Sequence, residues 1–196
     1  MTIGITGGIG SGKSIVAKIL ETIGHPVFYS DAVAKELMQS NAELKSEIIA
    51  HFGIEAFCYG ELNRAFIATK IFSNPQDKEV LNELVHPKVR AKFVEFAVTH
   101  ANKLIFNEAA ILFETGAYCS YDKTILVTAP RELRIIRVME RDMCSREDVE
   151  NRMKNQWEDD KKISLADYCI ENDEQQPVIV QLETIVNELT VYSTSS

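Results

Sequence analysis

Eight consecutive residues near the start of the chain, Gly7-Gly8-Ile9-Gly10-Ser11-Gly12-Lys13-Ser14, keep the spacing GxxxxGK[ST]. Each fixed position answers a chemical need. Glycines admit positive φ, so successive backbone N–H groups can curl into one anion-holding nest. A helix that begins behind the nest adds its N-terminal dipole to the stabilisation of phosphate charge. Lys13 can reach the β and γ phosphates of a nucleotide, and the Ser14 hydroxyl can ligate Mg²⁺. Gly8, Ile9, Gly10, Ser11, Gly12, Lys13 and Ser14, with the adjoining Ile15, are the expected phosphate-binding residues.

Later residues extend this chemistry. Asp31 falls just past the second expected strand, where a carboxylate can accept a sugar hydroxyl's proton and help hold hydrated Mg²⁺. The alternative for it is an acid in the first turn of a helix, favoured by the dipole. Arg137 and Arg141 lie four apart, so on one helix face both guanidiniums can converge on the same phosphates, with Arg134 and Arg146 widening the basic patch. Glu132, Glu140 and Asp142 offer those arginines ordinary surface partners instead. His86 before Pro87 is balanced between a substrate contact and a structural hydrogen bond at a helix end. Arg64 can pair with an anionic substrate or with a surface acid. Glu108 and Glu114 can stand behind Mg²⁺ or be structural carboxylates. Trp157 and the insertion's Phe residues read as core.

These groups need a scaffold. Apolar runs alternate with helical patterns, the signature of an α/β fold with a mostly parallel sheet flanked by helices. Strands are expected at Ile3–Thr6, Val27–Tyr29, Leu104–Asn107, Ile125–Thr128 and Tyr168–Ile170. A helix follows the glycine motif and stops at Gly24. Pro130 fits the first turn of a helix running to about Arg141. Ser145 with Asp148 forms a capping-box pattern that starts a helix reaching about Trp157. A closing helix begins at Pro177, with a frayed tail over Tyr192–Ser196. Residues 31–100 break the alternation with helical patterns at Glu43–Phe52, Asn63–Phe72, Lys78–Val85 and Val89–Val98 and no strand. The expected division is a nucleotide-binding core, 1–30 and 101–196 with a lid near 130–157, and a helical substrate-binding insertion, 31–100.

Composition narrows the partners. With 21 Lys+Arg against 29 Asp+Glu, the net charge of −8 argues against broad binding to nucleic acid or anionic membranes. No apolar run approaches the roughly 18–20 residues of a membrane span, and no secretory signal is visible. Cys58, Cys119, Cys144 and Cys169 are widely spaced, as reduced thiols of a cytoplasmic protein would be. No obligatory protein partner is evident.

Among proteins with this loop, the guanine-specifying NKxD and the DxxG switch element are absent, as is an LSGGQ-like signature. A small protein with a helical insertion and late arginines suits a small-metabolite kinase. Along nearly its whole length the sequence resembles the dephospho-coenzyme A kinases. The resemblance rests on Ile5 to Ser14, Ser30-Asp31-Ala32, Gly60-Glu61-Leu62-Asn63-Arg64, Ile71-Phe72, His86-Pro87 and Ile111-Leu112-Phe113-Glu114. Further on it rests on Arg137, Arg141-Asp142, Arg152, Gln156 and the run Ala166 to Asn172. It implies transfer of the γ-phosphate of ATP, with Mg²⁺, to the 3′-hydroxyl of dephospho-CoA. It also implies Asp31 as base, Lys13 and Arg137 as catalytic cations, Arg141 and Asn172 on the nucleotide, and Arg64 and His86 on the substrate. Three departures stand out: Tyr29-Ser30-Asp31 for Asp-Ala-Asp, Asn107-Glu108-Ala109-Ala110 where the family has an aspartate and then a proline, and Ile15 for a second hydroxyl residue. The rivals are another small-molecule or nucleoside monophosphate kinase and a nucleotide-gated switch.

Overall fold

The computed structural model describes residues 1–194, which form two compact units, Met1–Tyr29 with Thr99 onward, and Ser30–Val98. The first holds five parallel strands: β1 (Thr2–Thr6), β2 (Val27–Tyr29), β5 (Ile105–Glu108), β6 (Lys123–Thr128) and β7 (Tyr168–Glu171). Their order is β2-β5-β1-β6-β7. Strand β1 is central, with Ile5 opposite Glu108 on one side and Ile125 on the other. Because all strands run the same way, the chain leaves them at one edge. The glycine loop, Glu108, Pro130 and Asn172 all follow or end strands there, the edge at which such sheets bind ligands.

The apolar runs are continuous because the strands are covered on both faces. Helix α1 (Lys13–Thr22) contributes Val16, Ala17 and Leu20, and the last helix, α9 (Val178–Thr194), contributes Leu182, Ile185 and Leu189. These form one core with Ile3, Ile5, Phe106, Ile125 and Val127. The expected tail is helical through Thr194; its last two residues lie outside the described ones.

Between β6 and β7 lie α6 (Arg131–Asp142), α7 (Arg146–Met153) and α8 (Asp159–Ile163). Pro130 is the N-cap of α6 rather than its first helical residue. The capping box is present: Ser145 accepts from the Asp148 N–H while Asp148 accepts from Ser145. Helix α7 stops at Met153 instead of reaching Trp157, and α8 was not expected. Five residues with no apolar period give no sequence signal. Its anchor is Lys162, fully buried and 3.1 Å from Glu114 in an ion pair.

The second unit carries α2 (Ser30–Ser40), α3 (Ala42–Phe52), α4 (Arg64–Ser73) and α5 (Pro75–Thr99). Asn41 caps α3 and Asn63 caps α4, each accepting an N–H three residues on. Three expectations are corrected here. A two-stranded hairpin, β3 (Phe57–Cys58) and β4 (Glu61–Leu62), turns through Tyr59 and Gly60, both at positive φ. Such a turn is usually marked by Asn-Gly or Asp-Gly, and two-residue strands show no alternation. The expected break at His86-Pro87 is absent: α5 runs through it. Val85, Val89 and Phe93 are buried at a constant four-residue spacing while Pro87 faces outward, so burial of that stripe outweighs one lost hydrogen bond. Phe72 is also exposed, contrary to its expected core role.

Removing one partner of a buried ion pair strands the other, at a typical cost of 3–5 kcal/mol. Lys162→Met is therefore expected to lower stability by about 3–5 kcal/mol in urea unfolding, and Lys162→Met/Glu114→Gln to recover most of it.

Candidate active site

The phosphate loop is built from backbone geometry. Gly12 is the N-cap of α1, at φ 99°, and its carbonyl accepts from the N–H groups of Ile15 and Val16 at 2.9 and 3.2 Å. Gly10, at φ 79°, faces the carbonyl of Arg134 so closely that a Cβ would sit 2.5 Å from that oxygen. Glycine is required at both positions. Within the loop the Ser11 N–H donates to the Gly8 carbonyl at 3.1 Å. Lys13 folds back over the loop, its ammonium donating to the Gly7 carbonyl at 2.8 Å and to that of Gly8 at 3.5 Å. Ser14 and Ile15 are exposed on the first turn of α1. The hydroxyls of Thr6 and Ser11 are buried with no hydrogen-bond partner.

Residues far along the chain brace the loop from outside. Ile9 donates its N–H to Gln156 Oε1 at 2.8 Å, and its carbonyl accepts from Arg134 Nε at 2.9 Å. Gln156 is itself tied to the Ala110 carbonyl at 3.2 Å. Asn172, buried at the end of β7, donates through Nδ2 to the Ser11 carbonyl at 2.8 Å, and its own N–H reaches the Thr128 carbonyl at 2.8 Å. The sequence reading placed Gln156 only in a motif and Arg134 only in a patch. Nothing local signals either role, because the partners are backbone atoms 147 and 125 residues away.

Arg137 and Arg141 share α6, but their guanidiniums do not converge. Arg137 contacts the Asn172 carbonyl and side-chain oxygen at 3.2 and 3.4 Å and Glu174 at 3.0 Å. Arg141 donates twice to Asp142, at 2.7 and 3.0 Å. Each arginine is paired with its own carboxylate. Hydrogen bonds from Arg141 and Arg152 bring the Asp142 pKa down to about 2. Arg146 is held by Glu132 and Glu150.

The acids divide. Glu108 ends β5, buried, and faces Tyr29 across the sheet. Burial first, then a hydrogen bond to Glu21 and the charges of Glu21 and Glu108, push the Tyr29 phenol up to about 12. Glu114 is structural: besides Lys162 it accepts the Trp157 N–H at 3.0 Å. Trp157 is half-buried, with the Lys161 ammonium 3.2 Å from its ring centre. In the second unit Asp31 is exposed in the first turn of α2, and Arg64 opens α4. His86 lies mid-helix in α5, and burial, followed by the charge of Arg90, lowers its pKa against the opposing pull of Asp31. Its neutral form is accordingly favoured.

No group of three or more His, Cys, Asp or Glu among the described residues could cage a metal. Mg²⁺ needs no such cage, since it keeps waters and binds through phosphate oxygens and one or two protein oxygens. The exposed Ser14 hydroxyl would suit such an ion as a direct oxygen donor, with the buried Glu108 carboxylate behind it at the same sheet edge.

A phosphate loop at the carboxyl edge of a parallel sheet, with its lysine and a helical excursion after β2, defines a P-loop kinase. A profile of the dephospho-CoA kinases matches residues 1–177. The dephospho-CoA kinase of Bacteroides fragilis is 37% identical over 186 residues, covering 94% of this chain and 90% of that one. That of Salinibacter ruber is 41% identical over 176 residues, covering 88% of each. Among solved structures, a Thermus thermophilus protein superposes with TM-score 0.84 at 36% identity, over 98% of this chain and 97% of that one. The dephospho-CoA kinase from Campylobacter jejuni superposes with TM-score 0.70 at 27% identity, over 98% of both. The chain belongs to the dephospho-CoA kinase family. Shikimate kinase from Acinetobacter baumannii, at 17% identity and TM-score 0.52, shares the fold.

Lys13 carries the most direct test of the loop. A preorganised charge on a transferring phosphoryl group is worth several kcal/mol, so Lys13→Ala is expected to lower kcat by at least about 10²-fold. Circular dichroism should show an unchanged fold, and near-normal turnover would remove the loop from the chemistry.

Proposed function

We propose that this chain transfers the γ-phosphate of ATP to the ribose 3′-hydroxyl of dephospho-CoA, giving coenzyme A, the final step of its synthesis. The observation that carries the reading is a braced phosphate loop in a chain matching one kinase family along nearly its full length.

The loop N–H groups, Lys13 and the dipole of α1 receive the phosphates, with Ile15 and Asn172 beside them. Mg²⁺, held by the Ser14 hydroxyl and phosphate oxygens, would neutralise charge on the β and γ phosphates. Asp31 is assigned as the base that takes the 3′-hydroxyl proton. Arg137 and Arg141 are assigned to the phosphates in a closed state, exchanging Glu174 and Asp142 for nucleotide oxygens as 130–157 closes as a lid. Closure excludes water as a competing acceptor. Residues 31–100 are assigned to the substrate, with Arg64 on an anionic group of dephospho-CoA and the neutral His86 on a polar one. The setting is cytoplasmic and the partners are small molecules, in keeping with the acidic surface. No described helix is long and apolar enough to cross a membrane.

ADP release with dephospho-CoA as acceptor, against AMP, UMP and shikimate, tests the assignment. Dephospho-CoA alone should support turnover; release with AMP instead would make the chain a nucleotide kinase, and binding without acceptor-dependent release a switch. Asp31→Asn keeps shape but not basicity, and should lower kcat by roughly 10²–10⁴ with ATP affinity little changed. Arg137→Ala and Arg141→Ala should each lower kcat more than they weaken dephospho-CoA binding. Kinetics within about twofold of wild type for both would confine them to surface pairing.

A further inference from the structure

The Arg134 side chain is only 11% exposed, on the first turn of a helix whose other arginines reach solvent. Its fork has two targets. Nε donates to the Ile9 carbonyl at 2.9 Å, and Nη1 to Asp159 Oδ2 at 2.8 Å. The guanidinium lies directly over Gly8, where any Cβ would strike it, and its own carbonyl abuts Gly10. The other Asp159 oxygen is buried with no hydrogen-bond partner, so that carboxylate depends on Arg134 for its compensation.

In a trans peptide the C=O of one residue and the N–H of the next point in opposite directions. No peptide bond among the described residues is cis. Drawing the Ile9 carbonyl outward therefore turns the Gly10 N–H to the opposite side, into the nest. Asn172 does the same for the Gly12 N–H through the Ser11 carbonyl. The Ile9 N–H is taken from outside by Gln156, so it is not available to the nest in this arrangement. We propose that Arg134 is a positioning residue for phosphoryl transfer, aiming the Gly10 N–H at the nucleotide phosphates by holding the Ile9–Gly10 peptide. It acts by orientation rather than charge, because Asp159 cancels its charge at 2.8 Å. Arginine is needed because its planar guanidinium fixes two donors on separate nitrogens, Nε and Nη1, whereas a lysine offers a single rotatable ammonium.

The inference rests on the P-loop kinase reading but not on the acceptor, so nucleotide binding is the measurement. Arg134→Met alone leaves Asp159 buried without compensation and can fail to fold. Arg134→Met/Asp159→Leu removes both charges and keeps the volume apolar. ADP and ATP affinity by calorimetry, thermal midpoint, kinetics and the Gly10 amide resonance should be compared with wild type. Because a hydrogen bond from a charged donor is lost, the double variant should bind ADP about 10- to 100-fold more weakly. It should keep a near-native midpoint, leave the KM for dephospho-CoA within about twofold, and lose most of the Gly10 shift on ADP addition. Arg134→Lys should show the same loss of affinity despite its retained charge. A folded double variant with wild-type ADP affinity and an intact Gly10 response would overturn the proposal and leave Arg134 as packing alone. A wild-type protein that binds ADP as expected yet phosphorylates no dephospho-CoA would fail the acceptor assignment and leave this one standing.

Discussion

A ring of backbone N–H groups can hold an anion only if the carbonyls of the same peptides are satisfied facing away from it. Buried amide oxygens left without donors cost free energy, and a glycine-rich loop has too little stiffness to hold one face inward unaided. Much of the first unit serves that requirement. Asn172 at the end of β7, Arg134 on α6 and Gln156 after α7 supply donors or acceptors to the outward side of the loop. The parallel sheet matters because it delivers β1, β6 and β7 to one edge, where these side chains can meet it.

The ion pairs fall into two groups with different mechanical consequences. Arg137, Arg141 and Arg146 are held by carboxylates at least partly open to water, and such pairs exchange partners easily. Arg134–Asp159 and Lys162–Glu114 are secluded, and separating either means exposing or stranding a charge. The segment between β6 and β7 is thus fixed at its beginning and end and exchangeable along its outer surface. Phosphates can compete for the exchangeable arginines without disturbing the ones that shape the loop.

What sequence made legible is what depends on local periodicity or on motif spacing. The five strands appear within about two residues of their expected limits, since buried parallel strands are short apolar runs, and the Ser145–Asp148 cap is a three-residue pattern. The glycine loop was legible because its conformation admits few residue types. The sequence divides helix α5 in two because proline's local cost is visible there, whereas the packing of Val85, Val89 and Phe93 that overrides it is not. The Tyr59-Gly60 hairpin and α8 are too short to carry a period. Glu114 suits metal or structure equally in sequence, because its partner Lys162 lies 48 positions later. Arg134 resembled any other member of a basic patch, since its partners are main-chain atoms that no residue type announces.

The bracing of the glycine loop also orders the protein's assembly in time. The loop's outer contacts reach residues 125, 147 and 161 positions further along the sequence. Contacts of such range carry a loop-closure cost that earlier structure must meet, and they form late. During synthesis the glycine motif therefore emerges with only its local bonds, such as Ser11 to Gly8 and Lys13 to Gly7, and gains the last of its outer donors once the chain through Asn172 is available. A nascent or truncated chain ending before β7 carries the whole motif but lacks the strand-end amide that holds the Ser11 carbonyl. The bracing of the nest is accordingly completed only by the strand at the far edge of the sheet.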